Sequence, residues 1–296
     1  IYSDFLNDYM ALPSLLGKKT DGEKFAGAVA TYSLEFVLPN GKAIQGPDYH
    51  DDGQNFAKAY DIKFIDKDGK EKYCYQSTYA ITTRMLGIMF AMHSDDKGLV
   101  LPPKLAENKI VIIPIIFEES KKEVLKKAHE VKKSLEKYGA FVDDREDCST
   151  GRKFNEWELR GTPLRLEVGP KDIEKSQVIV KTRLGKKHEI KFKDLSSRVE
   201  ELLDEMQDEL YKRAEKFLKE SISKAESLDD LVKNIKNKKI VLVPMCQNQG
   251  CEDSIKEKTQ GAKALNIPKE QPKIVGKKCI CCGKPASYWV YVGKSY

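Results

Sequence analysis

The stretch Ile110-Val111-Ile112-Ile113-Pro114-Ile115-Ile116-Phe117, with the twenty residues after it, decides the fold class. Eight uncharged residues in a row, five of them isoleucine, read as a strand buried on both faces. That pattern belongs to a parallel sheet. Residues 118–137 switch to a charged amphipathic helix, and Ala140–Val142 is a short strand. A helix around residues 153–159, strands at 164–168 and 177–181 and a hairpin around Gly185 follow. Strand–helix alternation over residues 109–205 predicts an α/β domain.

On the N-terminal side the period changes. Residues 25–38 read as strand material ending at the turn Pro39-Asn40-Gly41-Lys42, and Asn-Gly between apolar segments is a hairpin signal. A second hairpin flanks Asp66-Lys67-Asp68-Gly69-Lys70, and residues 82–92 form an apolar helix. Antiparallel strands with one core helix predict an α+β layer over residues 1–108, closed by Leu101-Pro102-Pro103. On the C-terminal side, residues 195–221 place Val199, Leu202, Leu203, Met206 and Leu210 at helical spacing. This helix leads into a third piece, 206–296, with strands at 240–244 and 287–292 around a set of cysteines. The expectation is therefore a multidomain α+β and α/β chain.

Composition bounds the function. With 296 residues of which 40% are hydrophobic, the chain has enough apolar mass for two or three cores, which excludes disorder as its main state. No apolar run reaches about 18 residues, so no membrane span is expected, and Ile1-Tyr2-Ser3-Asp4 carries no signal-peptide features. The net charge of +6 is uneven: about −3 over residues 1–108, about +2 over 109–205 and about +7 over 206–296. A basic surplus fits an anionic partner such as nucleic acid, and equally a solvated lysine-rich surface.

Five of the seven cysteines lie in the last 51 residues. Cys246 and Cys251 pair with Cys279 and Cys282, the latter two spaced C-x-x-C. Four thiolates from two short loops can close a tetrahedral zinc site, with Gly250 and Gly283 easing the turns and Cys281 as substitute for Cys282. Such a site is structural, because no ligand position stays open. Residues 151–172 are dense in Arg, carboxylate and aromatic types: Arg forks and carboxylates can read base edges, and Trp157 or Phe154 can stack on a splayed base. The bland alternative is a solvated charged helix beside a strand. Thr82-Thr83-Arg84 at the start of an apolar helix offers a guanidinium for a phosphate or an adenine ring. His50 has carboxylates on both sides, leaving metal ligand, general base and ordinary loop residue open. G-x-S-x-G, Walker and dinucleotide-binding motifs are absent from the chain, so hydrolase, P-loop and Rossmann readings lack support.

Together, Glu23–Gly27, Gly53–Ala59, Thr82-Thr83-Arg84, His93–Pro103, Trp157–Asp172 and the terminal Gly293-Lys294-Ser295-Tyr296 resemble the C-terminal two-thirds of an archaeal/eukaryotic-type prolyl-tRNA synthetase, a class II aminoacyl-tRNA synthetase. The resemblance implies a proline–tRNA ligase. Proline attacks the α-phosphate of ATP, with Mg²⁺ assistance, and the prolyl group of the adenylate then passes to tRNA(Pro). It implies a catalytic role for Arg84 and His50, ATP binding at Gln45, Thr82 and Arg84, and a proline pocket at His50 and Tyr79. It further implies anticodon readers at Glu158, Arg165 and Asp172, a tail at Tyr296 folded back toward the active site, a structural Zn²⁺, and a cytoplasmic homodimer. The family usually reads Gly-Thr-Ser-His-x-Leu-Gly-Gln-Asn-Phe where this chain has Pro47-Asp48-Tyr49-His50-Asp51-Asp52-Gly53-Gln54-Asn55-Phe56. The first and second class II motifs are not found in it, and the expectation is that an N-terminal segment has been removed. The rival readings are a non-catalytic tRNA-binding paralogue and a sister synthetase such as the threonyl or histidyl enzyme, against which the tail argues.

Overall fold

In the computed structural model, which describes residues Ile1–Tyr296, Ile110–Pro114 is a strand with all five residues buried. It lies between Ala140–Val142 and Leu164–Val168 and is parallel to both. Gln177–Thr182 and Lys187–Lys191 extend the sheet antiparallel, giving the order Lys187–Lys191, Gln177–Thr182, Leu164–Val168, Ile110–Pro114, Ala140–Val142. The helix Lys121–Ser134 buries Val124, Ala128 and Val131 on this sheet, and Leu195, Val199, Leu202 and Leu203 of the helix Leu195–Ser221 join the same core. Each of the Val and Leu side chains contributes about 1.5–3 kcal/mol on burial.

The chain divides into two compact units. One is Asp4–Leu12 with Met89–Ala214, which holds the sheet just described; the other is Ile1–Ser3, Pro13–Ile88 and Glu215–Tyr296. The second of these carries a five-stranded antiparallel sheet in the order Ile267–Pro268, Leu15–Lys18, Ala30–Val37, Ala43–Gly53, Gln76–Ala80. Its outermost strand at one edge comes from the tail, so the first and last of the three sequence segments share one sheet. The fully buried Asn266 reinforces that junction, its Nδ2 donating to the carbonyl oxygen of Leu15 at 2.8 Å. A four-stranded sheet, Ile222–Lys224, Ile240–Met245, Tyr288–Lys294 and Ala262–Ala264, forms the tail's own core with the helices Leu228–Lys236 and Gln249–Lys258.

Local differences from the sequence reading have simple causes. Residues 25–29 are not strand: Ala28 N–H bonds the Phe25 carbonyl, Gly27 sits at φ +93°, and the strand begins at Ala30. The long strand Ala43–Gly53 lacks the apolar alternation by which strands are read, because polar residues stand at successive positions in it, His50, Asp51 and Asp52 among them. Gly46 within it permits close packing, since a Cβ there would lie 2.4 Å from the Phe36 ring and 2.9 Å from the Met85 sulfur. Met85 belongs to the helix Arg84–His93, so this contact seats that helix against the strand.

Candidate functional site

The tail brings four cysteines to one point. Cys246 follows the strand Ile240–Met245, and Cys251 sits in the first turn of the helix Gln249–Lys258, which Asn248 caps by accepting from Gly250 N at 2.8 Å. Cys279 and Cys282 come from a tight turn in which Gly283, at φ +69°, donates to the Cys279 carbonyl at 3.0 Å. Gly250, by contrast, lies in the helix and supplies no turn. The sulfurs of Cys246, Cys251, Cys279 and Cys282 all lie within 4.8 Å of one another, with Cys246 at 3.6 Å from Cys251 and 3.8 Å from Cys282. A tetrahedron with metal–sulfur bonds of about 2.3 Å has edges of roughly 3.8 Å, so this donor set fits zinc in size, number and softness. Cys281 turns away and donates to the Cys251 carbonyl.

Burial pushes the Cys246 and Cys251 thiols up. It acts on Cys279 in the same sense, but three backbone N–H groups outweigh it and bring that thiol down to about 7. Cys279 is thus the thiolate most readily available to a cation, and a bound dication would draw the other three protons off.

On the antiparallel sheet, one face is polar. A cleft of about 280 Å³ is lined by Lys19, Glu35, Gln45, Arg84, Lys263 and Tyr296, among others. Lys19 Nζ meets Glu35 at 2.5 Å with both side chains almost fully buried, and Ser33 donates to the same carboxylate. Arg84 is exposed and donates to the Gln45 carbonyl at 3.1 Å. The Tyr296 hydroxyl accepts from Asn40, its ring lies under Lys42 Nζ, and Ser295 bridges Ala43. So Gln45, Arg84 and Tyr296 share one cleft. Thr82 serves beside it, accepting from Arg84 N at 3.3 Å.

His50 lies deeper and reaches this cleft only through intermediaries. Gln45 Nε2 donates to Asp48 at 2.7 Å, and the other Asp48 oxygen is 3.4 Å from His50 Nε2. Thr31 holds the second imidazole nitrogen, and Phe25 stacks on the ring at 4.7 Å. Tyr79 is not brought to His50. It pairs with Tyr49, whose ring it meets at 4.9 Å, whereas His50 pairs with Thr78, and successive strand residues face opposite sides. The sequence reading also missed Lys19 and Glu35. The available signal was a lone carboxylate in the otherwise apolar run Leu34-Glu35-Phe36-Val37.

In the other unit, Glu158 and Arg165 line a narrow crevice with Lys181, Thr182 and Arg183. Arg165 stacks on Phe154 at 3.9 Å and is held by Glu167 at 2.9 Å. Asp172 stands outside that crevice, its carboxylate accepting from Gly169 N at 3.0 Å to cap a short helix. Trp157 cannot stack on a base. It is buried, with its indole N–H donated to Asp143 at 2.8 Å and its ring against Phe141.

Residues 109–202 match the family described as anticodon binding domain, and residues 228–296 match the family described as prolyl-tRNA synthetase, C-terminal. These two matches cover the middle and the last stretch of the chain. Over its full length it is 41% identical to "Proline--tRNA ligase 2" of Bacillus thuringiensis (strain Al Hakam), covering 62% of that protein. It is 40% identical to "Proline--tRNA ligase" of Oceanobacillus iheyensis and 41% identical to that of Lachnoclostridium phytofermentans, in each case over 100% of this chain and 61% of the relative. The chain thus spans about three-fifths of the length of the curated relatives it matches.

Proposed function

We propose that this chain is the C-terminal three-fifths of a proline–tRNA ligase, a class II enzyme that forms prolyl-adenylate from L-proline and ATP and transfers the prolyl group to tRNA(Pro). The observation that carries it is the full-length similarity to proteins of that name, in a chain whose cleft assembles Arg84, Gln45 and Tyr296. In this reading the antiparallel sheet is part of the class II catalytic sheet. The exposed Arg84 guanidinium neutralises ATP phosphate charge that Mg²⁺ shares, and the Lys19–Glu35 pair holds the cleft wall. His50, fixed by Thr31 and linked through Asp48 to Gln45, orients proline from beneath. Glu158 and Arg165 read anticodon bases, and Asp172 keeps the adjoining helix in register.

The division proposed is 1–108 for the catalytic part, 109–205 for anticodon binding and 206–296 for the metal-bearing tail. Cys246, Cys251, Cys279 and Cys282 would hold a structural Zn²⁺ that cross-links two loops. The archaeal/eukaryotic type is inferred from that tail; the relatives named above come from bacteria. A cytoplasmic homodimer completes the reading, and no helix is long and apolar enough to cross a membrane.

The test is ATP–pyrophosphate exchange with each of the twenty amino acids, using this chain extended to the full length of its relatives. Exchange with proline alone is expected. Failure with every amino acid, in a protein that still binds tRNA, would replace the enzyme by a tRNA-binding paralogue.

A further inference from the structure

Arg183 is a charged side chain that the reading above leaves without a role, and it is almost wholly buried, with 2% of the side chain exposed. Its donors converge on two places. The two terminal nitrogens grip the Asp95 carboxylate at 2.9 and 2.5 Å, and one of them also reaches the Gly98 carbonyl at 3.2 Å. Its Nε donates to the carbonyls of Leu99 and Glu158, both at 2.9 Å. The Glu158 carbonyl belongs to the last turn of the helix Thr150–Leu159, where carbonyls have no partner within the helix and a cation is favoured.

The segment on the other side of this grip is a tight turn. Asp95 and Gly98 exchange backbone hydrogen bonds at 3.1 Å, and Leu99 N then donates to the Leu159 carbonyl at 2.9 Å. The two backbones touch: a Cβ on Gly98 would lie 2.6 Å from Leu159 Cα, and one on Gly161 would lie 2.6 Å from the Leu99 carbonyl oxygen. From the same turn, Lys97 Nζ reaches the Glu158 carboxylate at 3.3 Å. The Glu158 side chain stays 26% exposed, in the crevice it shares with Arg165.

We propose that the turn Asp95–Leu99, riveted by Arg183, positions Glu158 for reading an anticodon base. Arg183 and Asp95 are positioning residues: they set where the helix ends and hence where Glu158 leaves it. Lys97 sets the carboxylate's direction from the rim. The crevice is lined from the helix with Glu158, the strand with Arg165 and the strand Gln177–Thr182, and the turn bears on it through Arg183 and Lys97. This inference rests on the reading of Glu158 as an anticodon reader.

The experiment measures aminoacylation kcat/KM in the full-length enzyme, with tRNA(Pro) and with transcripts substituted at each anticodon base. Arg183→Lys and Asp95→Ala are each expected to lower the cognate-to-substituted ratio at least tenfold, at the base that Glu158→Gln also affects. The Asp95→Ala loss should vanish on a Glu158→Gln background, as coupled residues require. Equal loss on every transcript, or additive losses in the double variant, would overturn the proposal. Asp95 is half-exposed, so Asp95→Ala serves as the folding-neutral variant should Arg183→Lys melt early. If Glu158→Gln leaves the ratio intact, the anticodon role of Glu158 itself fails, and the positioning role with it. If Glu158→Gln collapses the ratio while Asp95→Ala and Arg183→Lys preserve it, the positioning role alone is overturned.

Discussion

The two five-stranded sheets of this chain are built in opposite ways. Every strand of the mixed sheet comes from one continuous stretch, Ile110 to Lys191. The antiparallel sheet takes four strands from residues 15–80 and its fifth from Ile267–Pro268, almost two hundred residues later. The first can form from local contacts, whereas the second must close a long loop before its edge is complete. The difference also sorts the chemistry. In the local sheet Glu158, Arg165 and Lys181 sit on neighbouring strands and the adjoining helix, while the cleft of the non-local sheet needs Lys19, Arg84 and Tyr296 to arrive from three separate parts of the chain.

The largest expected effect tests whether the tail holds the non-local sheet together. Zinc binding contributes about 10–16 kcal/mol in small zinc-finger peptides. Even ~5 kcal/mol of that, at roughly 2–4 °C per kcal/mol for units of this size, predicts a drop of ~10 °C or more on chelation or in Cys279→Ser. Calorimetry should show the drop in the transition of the unit containing residues 215–296. A metal-independent melt, or an equal shift in both units, would break the comparison.

Next in size, Arg84→Ala should lower proline-dependent ATP–pyrophosphate exchange by about 10²–10³, the usual cost of removing a charge-stabilising donor. Affinity for tRNA should stay within a few-fold, and unchanged exchange would remove Arg84 from phosphate binding. Smaller again, Arg165→Ala should cost roughly 1–3 kcal/mol of discrimination at one anticodon base. A uniform loss across transcripts would make Arg165 a backbone contact only.

The smallest effect is a pH dependence confined to the local sheet. Burial raises the Asp143 carboxyl, but the Arg145 fork and the Trp157 N–H outweigh it and hold it at about 2. A carboxyl depressed in the folded state lends stability above its unfolded value, near 4, and loses it as the pH falls toward 2. Urea midpoints of that unit should therefore decline between pH 4 and 2, and Asp143→Asn should flatten the decline. A variant with the parent's pH profile would assign the acid sensitivity elsewhere.

How far the chain could be read in advance follows the same division. The strand Ile110–Pro114, the strand Leu164–Val168 and the helix Leu195–Ser221 announce themselves by runs and periods of apolar residues. Cys246, Cys251 and Cys279 were legible from their spacing, which left Cys281 and Cys282 as alternatives that the fold separates. The strand Ala43–Gly53 was legible only at its start, beside the Asn40-Gly41 turn, because the consecutive polar residues His50, Asp51 and Asp52 break the alternation that marks a strand. Whether Trp157 could stack on a base stayed open, because composition cannot tell a buried indole with a carboxylate partner from an exposed one.

What the sequence determined by itself is therefore the local order of elements, the family resemblance and the two short cysteine clusters of the tail, since each depends on neighbours a few residues apart. Only the tertiary structure decided that Tyr79 faces away from His50, that Lys19 is buried against Glu35, and that Ile267–Pro268 completes a sheet begun at Leu15. The physical reason is register. A β-strand presents alternate residues to opposite faces, so a one-residue shift in pairing exchanges every side chain's surroundings. That pairing is set by contacts between segments far apart in the chain.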